Sequence, residues 1–211
     1  MLKNWLVKMP LISIFLNRHC SKKFEQDVYI MRHGESEYNL LEIFNSRLDS
    51  KEYPLSEKGR NQVHNAAQKM KQEFGLKASN IGAVFVSPML RTRETAEILV
   101  KELNIDPKKV FVDAGIIELQ MGNLDGTRFS DYPVKNILDH SFAHTYGGET
   151  DDDCLGRLKP FLKKIKVQHI KGAILIITHG TPAELLMRHF GYPKRPHMLD
   201  KAEFVMVKGK D

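Results

Sequence analysis

The residues best suited to chemistry in this chain fall in four short stretches. "VYIMRHGESEYN" ends an apolar, β-favouring run on Arg32, His33 and Gly34. "SPMLRTRETA" places Ser87 and Arg91 just past a second such run, and "ELQMGNLDG" carries Glu118 after a third. "THGTPAE" sets His179 and Gly180 at the end of a fourth. If these strands are neighbours, two arginines and two histidines meet at one point, and such a cluster repels itself unless it encloses an anion. Phosphate is the natural partner, because a guanidinium offers planar paired donors to its oxygens. Gly34 and Gly180 let backbone approach a ligand closely, and helices starting near both would add N–H donors. Ser36 and Asn39 could supply neutral hydrogen bonds at the rim. A leaving group would need a proton. Glu118 is the best-placed carboxylate outside a helix, with Glu35 and Glu149 as stand-ins.

Positioning such a cluster calls for a sheet. β-rich runs occur at residues 27–31, 83–87, 109–113, 173–178 and 203–207, with helical patterns between them at 55–74, 89–103, 151–169 and 181–190. Val63, Ala66, Ala67 and Met70 recur at helical spacing, so the first of these helices should lay one face on the sheet. Ser56 suits its N-cap and Gly75 its terminator. Strands alternating with helices imply an α/β fold, a mostly parallel sheet covered on both faces. The last strand is a candidate edge strand of unread direction. Pro160 falls inside a long helical pattern and should start or kink a helix there. Residues 119–150 fit neither period and hold Phe129, Tyr132, Phe142 and Tyr146. A stretch of that length between sheet elements reads as a small cap over the strand ends.

The four stretches, in this order and at these separations, resemble the histidine phosphatase superfamily. More narrowly, they resemble the branch that contains cofactor-dependent phosphoglycerate mutases and small phosphomonoesterases. The resemblance covers about residues 27–207 and implies a three-layer α/β sandwich. It implies that His33 is the nucleophile, forming a phosphohistidine, that Arg32, Arg91 and His179 hold the phosphoryl oxygens, and that Glu118 acts as acid and then base. Asn39 would be a further phosphate contact, with Ser36 and Gly180 beside it. A partner on the second ring nitrogen of His33, such as a backbone carbonyl, would fix its tautomer. No metal is needed where the arginines already supply positive charge, and no cofactor is expected.

The same fold hosts hydrolases and mutases, so the fold alone does not choose between them. A mutase working through 2,3-bisphosphoglycerate needs extra cations for a second anionic group. Residues 119–150 offer Arg128 and Lys135 against Asp125, Asp131, Asp139 and Glu149. The expectation is therefore a phosphomonoester hydrolase whose leaving group is not strongly anionic. The mutase is the first alternative, and a phosphoprotein-binding or scaffold protein on this fold is the second. The expected partner is a phosphorylated small molecule, with a phosphoprotein as the other class.

Composition narrows the rest. The chain has 211 residues, 42% hydrophobic and 27% charged, as an ordinary globular domain does. Its net charge of +6 is concentrated at one end, since residues 1–23 carry five cations and no acid. A basic N-terminal extension thus precedes a nearly neutral domain at 24–211, and no nucleic-acid partner is expected. The extension has apolar patches but a short apolar run interrupted by Pro10, so targeting or membrane-surface contact through it is a weak alternative to a partly ordered tail. Two cysteines, Cys20 and Cys154, suggest a reducing compartment, and the cytoplasm is expected. His140 and His144 have the spacing of a helical metal pair but lack a third ligand nearby. Asp151, Asp152 and Asp153 sit where a helix should begin, which accounts for them without a cation.

Overall fold

A computed structural model describes residues 24–48, 52–132, 141–168, 170–193, 195 and 197–209. The basic extension at 1–23 lies outside the described residues, as do Lys135, Asp139 and His140. In chain order the elements are β1 (Val28–Arg32), α1 (Glu37–Leu40), α2 (Glu57–Phe74), β2 (Ile81–Val86), α3 (Leu90–Glu102), β3 (Val110–Val112), α4 (Ser141–Thr145), α5 (Asp151–Val167), β4 (Ala173–Thr178), α6 (Gly180–His189) and β5 (Phe204–Val207).

The sheet order is β3-β2-β4-β1-β5, with β5 antiparallel to β1 and every other pairing parallel. β1 and β4 are central and almost wholly buried, which is why both read as continuous apolar runs. Alternate residues feed two cores. Val28, Ile30, Phe85, Ile174 and Ile176 pack with α5 and α6 on one face, while Tyr29, Met31, Val84, Val86, Leu175 and Ile177 pack with α2 and α3 on the other. The result is three layers, helix–sheet–helix.

Local chemistry fixes the helices. Ser56 caps α2 by accepting from the Gly59 N–H, and Gly75 closes it at φ 63°. Thr150 caps α5 in a reciprocal box with Asp153, so the acidic run starts a helix, where its charge is favoured. Pro160 lies within α5 without ending it. The carbonyl its ring must avoid is that of Gly156.

Two adjacent strands send their crossovers to opposite faces. From β1 the chain runs to α2, and from β4 to α6 on the other side. This divergence opens a crevice beyond the carboxyl ends of β1 and β4, where ligands bind in open α/β sheets. No helix among the described residues is long and apolar enough to cross a membrane.

Candidate active site

Strand register brings the two histidines together. Arg32 pairs with Thr178 across the β1–β4 ladder, so His33 and His179 are the next residues on adjacent strands. Their ring centroids are 5.3 Å apart and both side chains are fully buried. The Gly34 carbonyl lies 2.7 Å from His33 Nδ1. A carbonyl can only accept, so Nδ1 carries the proton and Nε2 keeps its lone pair. Gly34 must be glycine for this turn to close, since a Cβ there would sit 2.6 Å from the Gly59 carbonyl oxygen.

Arg91 enters from the first turn of α3. Its Nε donates to His33 Nε2 at 3.2 Å, consistent with that lone pair. Its other nitrogens are held by Asn45, Nη1 by the side-chain oxygen at 2.7 Å and Nη2 by the backbone carbonyl at 2.9 Å. Tyr38 covers the guanidinium, with Cζ 4.4 Å from the ring centroid and the phenol oxygen 3.4 Å from His33 Nε2. Arg32 donates from Nη1 to the Leu199 carbonyl at 2.7 Å, and its Nε is buried without a partner. His179 has Nε2 2.7 Å from the Ser87 hydroxyl, leaving Nδ1 buried and unpartnered. Buried polar nitrogens are rarely left so.

Glu118 closes the far side. Its carboxylate accepts from the backbone N–H groups of Leu119 at 2.9 Å, Gly180 at 3.2 Å and Thr181 at 3.3 Å, the last two at the N-terminus of α6. The loop bearing it is pinned by Arg157 of α5, which donates to the carbonyls of Gly115, Ile117 and Glu118 and pairs with Glu149, each at 2.9 Å. Thr178 adds a bond to the Ile116 carbonyl at 2.6 Å. Glu149 is thereby committed to Arg157. Glu35 is committed to Lys58 and Ser56, its pKa lowered chiefly by the Lys58 hydrogen bond.

Beside these groups is a cavity of about 130 Å³ lined by Arg32, Tyr38, Asn39, Asn45, Glu118, Thr181 and Lys201 on its polar side. The rest of its lining is apolar: Ile43, Leu119, Met121, Met198 and the clustered rings of Phe44, Phe129 and Phe142, which form an apolar wall. A single water needs only ~10–15 Å³ of such space, so the cavity is sized for a small molecule. Asn39 lines it, while its side-chain oxygen accepts from the Ser36 N–H at 3.1 Å and hydroxyl at 3.2 Å. Ser36 is fully buried and turned to Asn39, and the Gly180 N–H is turned to Glu118. Gly180 contributes space instead, because a Cβ there would meet Met198 Sδ at 2.6 Å and Arg32 Cζ at 3.5 Å.

The charges act on one another. Burial, followed by the Arg91 charge, holds both His33 and His179 well below the ordinary imidazole value, so each is neutral at pH 7. Lys201 is pushed down to about 7, first by burial and then by Arg32. Lys201, Asn45 and Arg157 carried no signal in the four sequence stretches. Each reaches the site through a contact distant in sequence. Among the described residues no group of three or more His, Cys, Asp and Glu side chains could hold a metal ion.

The family model of the histidine phosphatase superfamily (branch 1) matches residues 28–203. The chain belongs to that superfamily. Within it, the chain is 30% identical over 159 residues to "Probable phosphoglycerate mutase GpmB" of Photorhabdus laumondii, covering 72% of this chain and 69% of that one. Longer mycobacterial relatives at 28% identity are spanned over 42% of their length. Among solved structures, Bacillus stearothermophilus YhfR superposes with a TM-score of 0.69 at 24% identity, over 88% of this chain and 94% of that one. A mycobacterial glucosyl-3-phosphoglycerate phosphatase in complex with VO3 does so at 0.67 and 22%, over 86% and 92%. At these identities the two structures speak for the fold alone.

Proposed function

We propose that the chain is a metal-independent phosphomonoester hydrolase working through a phosphohistidine on His33. The observation that carries this reading is the state of the His33 ring. Its Nδ1 is occupied by the Gly34 carbonyl, and its Nε2 lone pair faces Arg91. A neutral imidazole fixed in this tautomer is a nucleophile at neutral pH.

The steps follow from the groups in place. A substrate phosphoryl group enters beside Arg32 and Arg91, and Arg91 Nε exchanges its imidazole acceptor for a phosphoryl oxygen. The unpartnered Arg32 Nε and His179 Nδ1 gain acceptors at the same moment. His33 Nε2 attacks phosphorus in line, the P–O bond to the alcohol breaks, and a proton from Glu118 passes to the leaving oxygen. Water then attacks the phosphohistidine, giving its proton to Glu118, and inorganic phosphate leaves with His33 restored. Catalysis rests on positioning and on charge around the equatorial oxygens.

The alcohol portion occupies the apolar wall. Phe44, Phe129 and Phe142 face it, and Phe44 lies 4.5 Å and 5.9 Å from the other two ring centroids. This favours an uncharged, partly apolar leaving group over a second phosphate, and so hydrolysis over 2,3-bisphosphoglycerate-dependent mutase chemistry. The test is phosphate release from aryl, alkyl and sugar monoesters in the presence of a chelator, for wild type and His33→Ala. Release that disappears in the variant is expected. Interconversion of phosphoglycerates on addition of 2,3-bisphosphoglycerate, without net release, would replace this reading with the mutase.

A further inference from the structure

Lys201 lies outside the four motif stretches and belongs to none of the strand ends that form the crevice. It nevertheless lines the cavity beside Arg32, Glu118, Thr181 and Met198. We infer that Lys201 is a third cationic ligand of the phosphoryl anion, supplied by the turn at residues 199–203; this rests on the reading that the cavity receives a phosphomonoester.

The turn is built to hold that lysine in place. The Ala202 N–H donates to the His33 carbonyl at 3.1 Å, and the Arg32 N–H donates to the Glu203 carbonyl at 3.1 Å. Arg32 Nη1 donates to the Leu199 carbonyl at 2.7 Å. Within the turn, the Asp200 N–H donates to Glu203 Oε2 at 2.6 Å, and Arg195 pairs with the same carboxylate at 2.9 Å. The turn is thereby clamped to the tip of β1, the segment that carries Arg32 and His33. Ala202 pays for this with φ 59°, the left-handed region that a side chain with a Cβ adopts against a steric cost. Such strain persists where surrounding contacts over-determine it, and it gathers at ligand sites.

Lys201 itself is half-buried and, among the described residues, has no ion-pair partner. The charged groups acting on it are Arg32 on β1, Arg91 on α3, Glu118 on the segment after β3 and Glu35 after β1. His33 and His179 feel its charge and are neutral. A lysine half out of water beside two arginines is strained as a cation, and its ammonium sits near pKa 7. A phosphoryl dianion in the cavity reverses that balance. Anion binding near and above neutrality should then draw a proton onto Lys201.

The experiment is calorimetric titration of the full chain with inorganic phosphate between pH 7 and 9, for wild type, Lys201→Met and Lys201→Arg. Inorganic phosphate changes its own protonation near the lower end of this window, but identically for the three proteins, and the two histidines are neutral, so the difference between wild type and variant reports Lys201. Wild type should bind phosphate about 10-fold more tightly than Lys201→Met at pH 7, and this advantage should vanish by pH 9. Lys201→Arg, charged throughout, should keep its affinity across the window and show that the turn tolerates a cation of another shape. Met-variant binding within 2-fold of wild type at pH 7 would overturn the inference while leaving the phosphoryl site intact. Wild-type protein that takes up no phosphate would overturn the site reading, and the role of Lys201 with it.

Discussion

Arg91 and His33 share a hydrogen bond inside the protein: the guanidinium Nε donates to the imidazole Nε2 at 3.2 Å, with Arg91 only 1% exposed. A buried guanidinium is tolerated only when its remaining donors are satisfied, and here Asn45 does so with two oxygens. Asn45 in turn sits in a loop tied down by Ser46, whose hydroxyl donates to Asp125 at 2.8 Å and accepts from the Met121 N–H at 2.9 Å. The aim of Arg91 therefore depends on residues 45 and 46 as much as on α3.

Asn45→Ala should lower kcat/KM for phosphomonoesters by about 10- to 100-fold. A hydrogen bond to a charged group contributes about 1.5–3 kcal/mol, and a misaimed Arg91 loses that in the transition state. The alanine variant keeps the backbone oxygen that holds Nη2 but leaves Nη1 buried without its side-chain acceptor, so its melting temperature should also fall, by about 2–4 °C for each of the ~1–3 kcal/mol that such a loss costs. Steady-state kinetics on wild type and variant decide this; unchanged kcat/KM would show that α3 alone fixes the guanidinium.

Much of this arrangement was legible in the residues. The apolar β-rich runs at 27–31, 83–87, 109–113, 173–178 and 203–207 each contain or overlap a strand; for β1, β2 and β4 the reason is that a strand buried on both faces leaves little choice of side chain. Arg32 stood out as the end of a strand, and His33, Arg91, Glu118 and His179 because each follows a strand or opens a helix; strand register and their hydrogen bonds bring them around one crevice. What was not legible has a common cause. Lys201, Asn45 and Arg157 act across separations of 46 residues for Arg91–Asn45 and 39 for Arg157–Glu118. No local pattern encodes such contacts. The direction of β5 was hidden for the same reason, being set by its pairing with β1.

Stability should fall as pH drops below about 6.5. His33 and His179 both have native pKa values held well below that ordinary imidazole figure, mainly by burial. Between the ordinary and the native values the unfolded chain binds protons that the native protein refuses, so the stability present above pH 6.5 is progressively lost below it. The slope from the two together approaches ~2.7 kcal/mol per pH unit. Urea midpoints at pH 6.5, 6 and 5.5, below the range in which Lys201 titrates, read this directly, and His179→Gln should make the decline shallower. A midpoint constant over that range would mean that both imidazoles take up protons in the native state.

Two glycine-to-alanine changes should have opposite signs. At Gly59, the α2 residue against the β1 tip, a Cβ would lie 1.9 Å from the Glu35 carbonyl oxygen, which is backbone and cannot swing aside. Gly59→Ala should destabilise by about 2–4 kcal/mol and displace the loop behind His33. At Gly156, inside α5, nothing lies within 4 Å of an added Cβ. Gly156→Ala should stabilise by about 0.5–1 kcal/mol through helix propensity. Equilibrium urea unfolding of both variants tests the packing of α2 on the strand tip against a helix site with room to spare.

The apolar wall of the cavity should set substrate preference separately from the chemical step. Phe142 lines it and packs beside Phe44 and, through it, Phe129. Truncating Phe142 to alanine removes apolar surface from the space of the alcohol and leaves His33, Arg32, Arg91 and Glu118 where they are. KM for an aryl or long-chain alkyl monoester should rise about 10-fold, in keeping with the ~1.5–3 kcal/mol that burial of a large apolar side chain contributes. For glycerol phosphate, too small to reach the wall, KM should stay within 2-fold, and kcat should hold for both. Equal losses on the two substrates would instead place Phe142 in the support of the reacting groups, and the preference for a partly apolar alcohol would lose its basis.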